Sequence, residues 1–390
     1  MKNHIFQVEL NGHTNSTPAQ FKDLKYLIRD SELDKLVADT FPLSDFTPNS
    51  NLLINGSKEL LSYFEKVDEE KLDIIEELQN IEYIGLSDDK EIILRFNNEE
   101  YDEDFNATGV YDFTYDFLDN TFNMGKFSKF CITNSYNDIL KENITQLFDK
   151  LPSLTKQYRL IKNKNKWFLR GLTSTRYNNY DNHLAIYLTL ISLHKYSKEQ
   201  NTTFNLEKAF LSDSEINIFF SQNETINIQN LGEVFFGVYV SNNEIKEGTF
   251  SLELRYTVVN EKGRNFSGLS NHVFNINHSL GIKNVKEKLS FSDRINELKN
   301  ITVQHISNIK ITKLTENQLY MIFKKIHSST QKLSKEARDK AKDYYDTNLV
   351  NNTLTIIDAF DKFNEITTDV EEKIYLERIY NEVLKELNNK

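Results

Sequence analysis

The densest candidate chemistry in the chain lies between residues 151 and 180. Lys156, Arg159, Lys162, Lys164, Lys166, Arg170 and Arg176 fall there without a single Asp or Glu. Tyr158, Trp167, Phe168, Tyr177 and Tyr180 are interleaved with them. Basic groups neutralise phosphates, and flat rings offer stacking faces to unpaired bases. The pattern reads as a nucleic-acid contact, with single strands favoured. Its candidate residues are Lys156, Arg159, Lys162, Lys164, Lys166, Trp167, Arg170, Arg176 and Tyr177, joined by Arg255 from a later strand. The plainer alternative is that the rings face a core and the lysines decorate a solvated turn.

An acidic segment mirrors the basic one. Between Asp88 and Asp119 there are 11 acids against Lys90 and Arg95. Glu99, Glu100, Asp102, Glu103 and Asp104 form its densest part and are the candidate face for a basic protein partner. The alternative is a solvated surface. Asp112, Asp116 and Asp119 are spaced to share one helical face, but no Gly-centred calcium loop accompanies them. His272 and His278 are the nearest histidine pair, and structural roles suit them better than metal ligation. Cys131 is the only cysteine, which excludes a disulfide framework and reads as an inert buried thiol. Phosphate-binding Gly-rich loops, a Gly-x-Ser-x-Gly elbow and His-Glu-x-x-His are all missing. No catalytic set, metal or cofactor is assigned.

Length and composition frame these segments. The chain has 390 residues, 39% hydrophobic and 27% charged, enough for a large core and two or three domains. Residues 1–150 carry 30 Asp/Glu against 14 Lys/Arg, whereas the remainder is slightly basic. A net charge of -11 argues against coating nucleic acid by charge alone. No apolar run is long enough to span a membrane, and Met1–Leu10 lacks a signal-peptide pattern. The expectation is a cytoplasmic protein of a bacterial host cell with an AT-rich genome or of its mobile elements, given the abundance of Lys, Asn, Ile, Phe and Tyr.

The elements that must position these residues follow from periodicity. Residues 1–150 read as an acidic mixed α/β region, with helices at 57–79 and 137–151 and a strand at 90–96. Residues 151–283 read as a strand-rich core. In it, 158–161 and 167–169 form a hairpin about an Asn-containing turn, and 181–196 form a helix. A second hairpin joins 234–240 to 250–259, where Leu252, Leu254 and Tyr256 alternate with Glu253, Arg255 and Thr257. Residues 284–390 hold no Pro or Gly and read as a helical bundle able to self-associate, with a capping box at Thr315 and Gln318. The fold class is α+β: a central, mostly antiparallel sheet with packed helices. Both hairpins are expected in one sheet, with Arg159, Lys166, Arg170 and Arg255 on its open face and the bundle apart from it.

Two segments carry a resemblance. Phe168–Asp181 resembles the Ser-x-x-Tyr-x-x-x-Asp/Asn region of a phage/plasmid-like family of unknown function, at Ser174, Tyr177 and Asp181. Gly237–Gly248 resembles that family's Ser-Asn-x-Glu-x-x-x-Gly hairpin, at Ser241, Asn242, Glu244 and Gly248. The family continues into an Arg and then Cys-x-Asn-Gly; this chain has Arg255 but Asn260-Glu261-Lys262-Gly263. The match covers roughly 155–265. It implies a mobile-element protein associated with DNA metabolism and no established reaction. The combined reading is a non-catalytic nucleic-acid-associated protein. The alternative is a phage protein that blocks a host defence or replication factor through its acidic face.

Overall fold

The computed structural model describes residues 4–12, 16–97, 105–229, 231–245, 249–308, 313–348 and 354–388. The chain runs β1 (Gln7–Asn11), a 3-10 turn (Phe21–Leu27), α1 (Glu32–Thr40), β2 (Ile54–Asn55), α2 (Ser57–Phe64), β3 (Lys71–Glu77), β4 (Ile81–Leu86), β5 (Ile92–Phe96) and β6 (Phe105–Gly109). Three helices follow, α3 (Phe113–Phe122), α4 (Gly125–Thr133) and α5 (Asn137–Lys150), then β7 (Thr155–Asn163), β8 (Lys166–Thr173) and α6 (Asn182–Gln200). Next come β9 (Phe204–Ser212), β10 (Glu215–Ile228), β11 (Gly232–Asn243), β12 (Thr249–Val259) and β13 (Asn265–Asn277). The chain closes with α7 (Ile282–Lys288), α8 (Ser292–Asn308), α9 (Glu316–His327), α10 (Lys335–Asn348), α11 (Ile356–Phe363) and α12 (Val370–Asn388).

The architecture is α+β and mostly antiparallel, with a helical C-terminal third. The strands form two sheets rather than one. The larger is ordered β1-β9-β10-β11-β12-β13, with the short β2 parallel to β9; the smaller is β3-β7-β8-β6-β5-β4. The two hairpins expected in one sheet therefore part company. The β7–β8 hairpin takes its outer neighbours from earlier in the chain, β3 beside β7 and β6 parallel to β8. The β11–β12 hairpin is flanked by β10 and β13. Residues before 150 supply strands to both sheets, so that position marks no break in the fold.

Each sheet has its own apolar core. Tyr158, Leu160 and Leu169 turn to the face of the small sheet that packs on Phe117 and Leu118 of α3 and Ile144 and Phe148 of α5. On the large sheet, Leu252, Leu254, Tyr256 and Val258 alternate inward as the sequence predicts. That core also encloses α6, in which His183–Leu193 has no exposed position. A helix buried all round belongs between layers, and its polar positions Thr189, Ser192 and His194 are enclosed with the apolar ones. At its start His183 Nε2 lies 3.1 Å from Asp34 Oδ1 of α1. Burial disfavours that carboxylate's charge, but His183, Ser31 and the Arg29 amide outweigh it and hold Asp34 down to about 2.

The C-terminal helices share this core instead of standing apart. Phe360, Phe363, Leu376, Tyr380 and Val383 are buried with the sheet residues, and the Phe266 ring lies 5.0 Å from that of Phe360. Helix α12 runs against the edge strand β13, so that edge is covered rather than open.

The face of β12 expected to be open is closed by α12. Arg255 Nε and Nη2 donate to the Glu377 carboxylate at 2.9 and 2.8 Å, and its Nη1 donates to Glu207 at 2.6 Å. Arg378 Nη2 reciprocates by donating to Glu253 Oε1 at 2.6 Å. Glu377→Ala is expected to lower stability by about 2 kcal/mol, because it strips a partly exposed guanidinium of its two-pronged partner and leaves it Glu207 as its only carboxylate. Urea denaturation reads this directly; a loss below about 0.5 kcal/mol, the scale of an ordinary surface pair, would show that the pair does not fix α12.

Candidate functional site at the junction of the two sheets

Strand alternation turns Tyr158 and Leu160 to the core and leaves Arg159 facing the other way. Arg170 joins it through a bulge. Arg159 pairs with Gly171 and Leu160 with Leu169, so Arg170 is an extra residue in β8. In an unbroken ladder Arg170 would face away from Arg159; the bulge lets both reach the same partner, Glu244.

Glu244 follows β11 and is 0% exposed. Its Oε1 accepts from Lys71 Nζ at 2.9 Å and from the Asn182 backbone amide at 2.8 Å. Its Oε2 accepts from Arg170 Nη1 at 2.6 Å and from Lys71 at 3.0 Å. Its backbone carbonyl accepts from Arg159 Nη1 at 2.5 Å. Burial opposes the charge, but Lys71, Arg170, Arg159 and the Asn182 amide hold the carboxyl well below the usual range. Glu244 thus serves the first open amide of α6 and places a negative charge at that helix's N-terminus.

Asp181, the residue before the helix, is engaged elsewhere. Arg159 Nη2 donates to both Asp181 oxygens at 2.8 and 2.7 Å. The Nε/Nη2 edge of the same guanidinium forms a two-pronged pair with Asp73 at 2.9 and 3.0 Å. Burial raises Asp181; Arg159 pulls it down, and Glu244 and Asp73 push it up again. Lys71 Nζ also lies 3.6 Å from Asp68, which pairs with Arg29, so Lys71, Arg159, Arg170 and Arg29 face Glu244, Asp181, Asp73 and Asp68, four charges of each sign. Arg170 Nε and Nη2 have no partner among the described residues. Asp213 on the β9–β10 turn accepts from Tyr111 Oη at 2.6 Å and Ser214 Oγ at 2.8 Å.

The two segments singled out in the sequence meet here. Asn242 Nδ2 donates to the Tyr180 carbonyl at 3.0 Å and to Asn182 Oδ1 at 2.9 Å. Tyr177 Oη donates to the Glu244 carbonyl at 3.3 Å. Gly171 permits the approach, since a Cβ there would stand 2.8 Å from the Ile245 Cβ. Beside this contact opens a cleft of about 680 Å³ lined by Asp116, Asn120, Lys156, Leu172, Thr173, Ser174, Tyr177 and Ile245.

The structure disperses the candidate contact residues. Arg159 and Arg170 are buried in the charge cluster, and Arg255 lies in the other sheet beneath α12. The expected open platform of Arg159, Lys166, Arg170 and Arg255 is therefore corrected: only Lys166 of the four is exposed. Lys162, Lys164, Lys166 and Trp167 stay together at the tip of the β7–β8 hairpin, where Lys164 adopts a left-handed φ of 51°. Lys162 Nζ stands 5.3 Å from the centroid of the Trp167 ring and donates to Glu70 at 2.8 Å. Lys156 and Tyr177 line the cleft, and Arg176 is exposed in the same turn as Tyr177. Glu99, Glu100, Asp102, Glu103 and Asp104 lie outside the described residues.

Asp112 and Asp116 line different cavities, and Asp119 Oδ1 accepts from the Gly125 amide at 3.1 Å. Among the described residues no group of three or more His, Cys, Asp or Glu is arranged to hold a metal ion. His272 is exposed while His278 is buried. Cys131 is a buried free thiol, pushed up by burial. No helix among the described residues is long and apolar enough to cross a membrane. Lys71, Asp73 and Asp213 were not singled out by sequence: each is an ordinary charge, and only contacts with distant parts of the chain (Glu244 for Lys71, Arg159 on the neighbouring strand for Asp73, Tyr111 for Asp213) draw them into the site. Compared with family models, curated proteins and solved structures, the chain matches none.

Glu244→Gln keeps the shape but leaves Lys71 and Arg170 without their carboxylate; a loss of about 3–5 kcal/mol is expected in urea denaturation. A loss below about 1 kcal/mol would show that the cluster does not hold the sheets together.

His278 gives a second test. It stacks on Tyr177 with centroids 4.6 Å apart and planes 9° apart, and its Nδ1 is 3.2 Å from the Asn178 carbonyl. Burial lowers its pKa to about 4, the Asn178 carbonyl opposing and Arg159 assisting. The folded value lies below the unfolded one, so its contribution is intact above pH 6.5 and is lost as pH falls toward 4. Wild-type stability is expected to drop by about 3 kcal/mol more than that of His278→Phe across this window. Parallel pH profiles for the two proteins would refute the assignment.

Proposed function

We propose that this is a non-catalytic nucleic-acid-associated protein of a phage or plasmid, acting in the cytoplasm of a bacterial host. The hairpin tip carries the reading. Lys164 and Lys166 are exposed beside half-buried Lys162 and Trp167, at the turn that closes the β7–β8 hairpin. Such a tip offers ammonium groups to phosphates and an indole to an unpaired base. It needs neither Arg159 nor Arg170, whose charges are neutralised within the fold.

Trp167 is the only tryptophan, so its fluorescence reports on the tip directly. Titration with single-stranded oligonucleotide is expected to quench it, with affinity falling as salt rises. Changing Lys162, Lys164 and Lys166 together to Gln is expected to weaken binding irrespective of base sequence and to reduce the log–log salt slope by about 2. Absence of binding at low salt, or an unchanged slope in the variant, would overturn the reading.

A second reading, a module that binds a host or phage protein, is favoured by a different surface. Phe130, Tyr136 and Ile139 on and between α4 and α5 are 56%, 46% and 48% exposed, and the first two rings lie 5.7 Å apart. Exposed apolar groups gathered in this way mark protein contacts. A stoichiometric, nuclease-resistant partner lost on Phe130→Ser would favour this reading over the first.

A further inference from the structure

We infer that the cleft between α3, β8 and the Ser174–Tyr177 turn binds a phosphate group, at a place separate from the hairpin tip and independent of its proposed role. The cleft's volume of about 680 Å³ accommodates a mononucleotide. Lys156 stands on its wall with its ammonium 3.5 Å from the Asn120 carbonyl and with no carboxylate partner among the described residues. Ser174 lines the same cleft, and its hydroxyl has no hydrogen-bond partner among the described residues. These donors suit a phosphate, which accepts several charge-assisted bonds at once.

The apolar wall of Leu172 and Ile245 favours a phosphate carried on an organic group over a free inorganic ion. The wall is held in place from beneath: Tyr177 Oη reaches the Glu244 carbonyl, and the Arg159 guanidinium lies 5.8 Å from the Tyr177 ring centroid. The buried cluster thus fixes the cleft before any ligand arrives.

The test is calorimetric titration of the full chain with a nucleoside 5′-monophosphate, the parent nucleoside, inorganic phosphate and a single-stranded oligonucleotide. The nucleotide is expected to bind at least tenfold more tightly than the nucleoside, and Lys156→Met to weaken it at least tenfold. Lys156 has no ion pair to lose, so the thermal midpoint of that variant should match the wild type. If the strand competes with the nucleotide, or binds alone and is weakened by Lys156→Met, the phosphate is that of a nucleic acid. If only the small molecules bind, it is that of a free metabolite. Either outcome supports the site. The inference is overturned if none of the phosphate compounds binds at millimolar concentration, or if Lys156→Met binds them as tightly as wild type does.

Discussion

A single carboxylate with no solvent contact, that of Glu244, joins the parts of this molecule. It accepts from a strand of the small sheet through Lys71, from a second through Arg170, and from the first amide of α6 through Asn182. The strand it follows, β11, belongs to the large sheet. An isolated carboxylate in such a place would be neutral or would drag the structure open. Here both oxygens are filled and opposing cations stand within hydrogen-bond distance, so the charge is kept. The fold then depends on the cluster in an asymmetric way: removing one member leaves the others buried and unpaired, whereas the intact set contributes little beyond holding position. What the cluster supplies is geometry, the fixed placement of one sheet against the other.

That placement decides which basic residues remain for a partner. Of the seven cations in residues 151–180, Arg159 and Arg170 are spent inside; Arg255, on the other sheet, is locked beneath α12. The rest divide between the hairpin tip and the rim of the cleft. Guanidinium went to the buried positions and ammonium to most exposed ones, as expected from the planar fork of arginine, which satisfies several carboxylates at fixed angles where a lysine offers a point charge. Reading all seven as one surface would overcount the charge that nucleic acid can meet.

The second clamp, between β12 and α12, repeats the principle with partial exposure. Glu253 with Arg378 and Arg255 with Glu377 cross-link strand and helix in alternating sense. Opposite charges two residues apart on the strand meet opposite charges one residue apart on the helix, which fixes the helix along its axis as well as across it. The C-terminal helices are therefore part of the large sheet's core.

The sequence alone determined much of the local structure, although Lys71–Glu77, read as part of a helix, is strand β3, because pairing with β7 overrides its helical spacing. The buried helix, both hairpins, the inward alternation of Leu252, Leu254 and Tyr256 and the capping box at Thr315 follow from periodicity and turn chemistry, which act over a few residues. The two segments built around Ser174, Tyr177 and Asp181 and around Ser241, Asn242 and Glu244 were also visible, though not their meeting. What only the tertiary structure decided is long in range. Lys71 and Asp73 pair with groups more than 80 residues away, and no local pattern announces such a partner. The bulge that turns Arg170 to the same side as Arg159 is a one-residue shift in register, and with a period of two such a shift reverses which face a side chain joins. Whether a charged residue is a ligand-binding group or a buried strut depends on that shift and on which sheet its strand joins, and both are set by packing between distant parts of the chain.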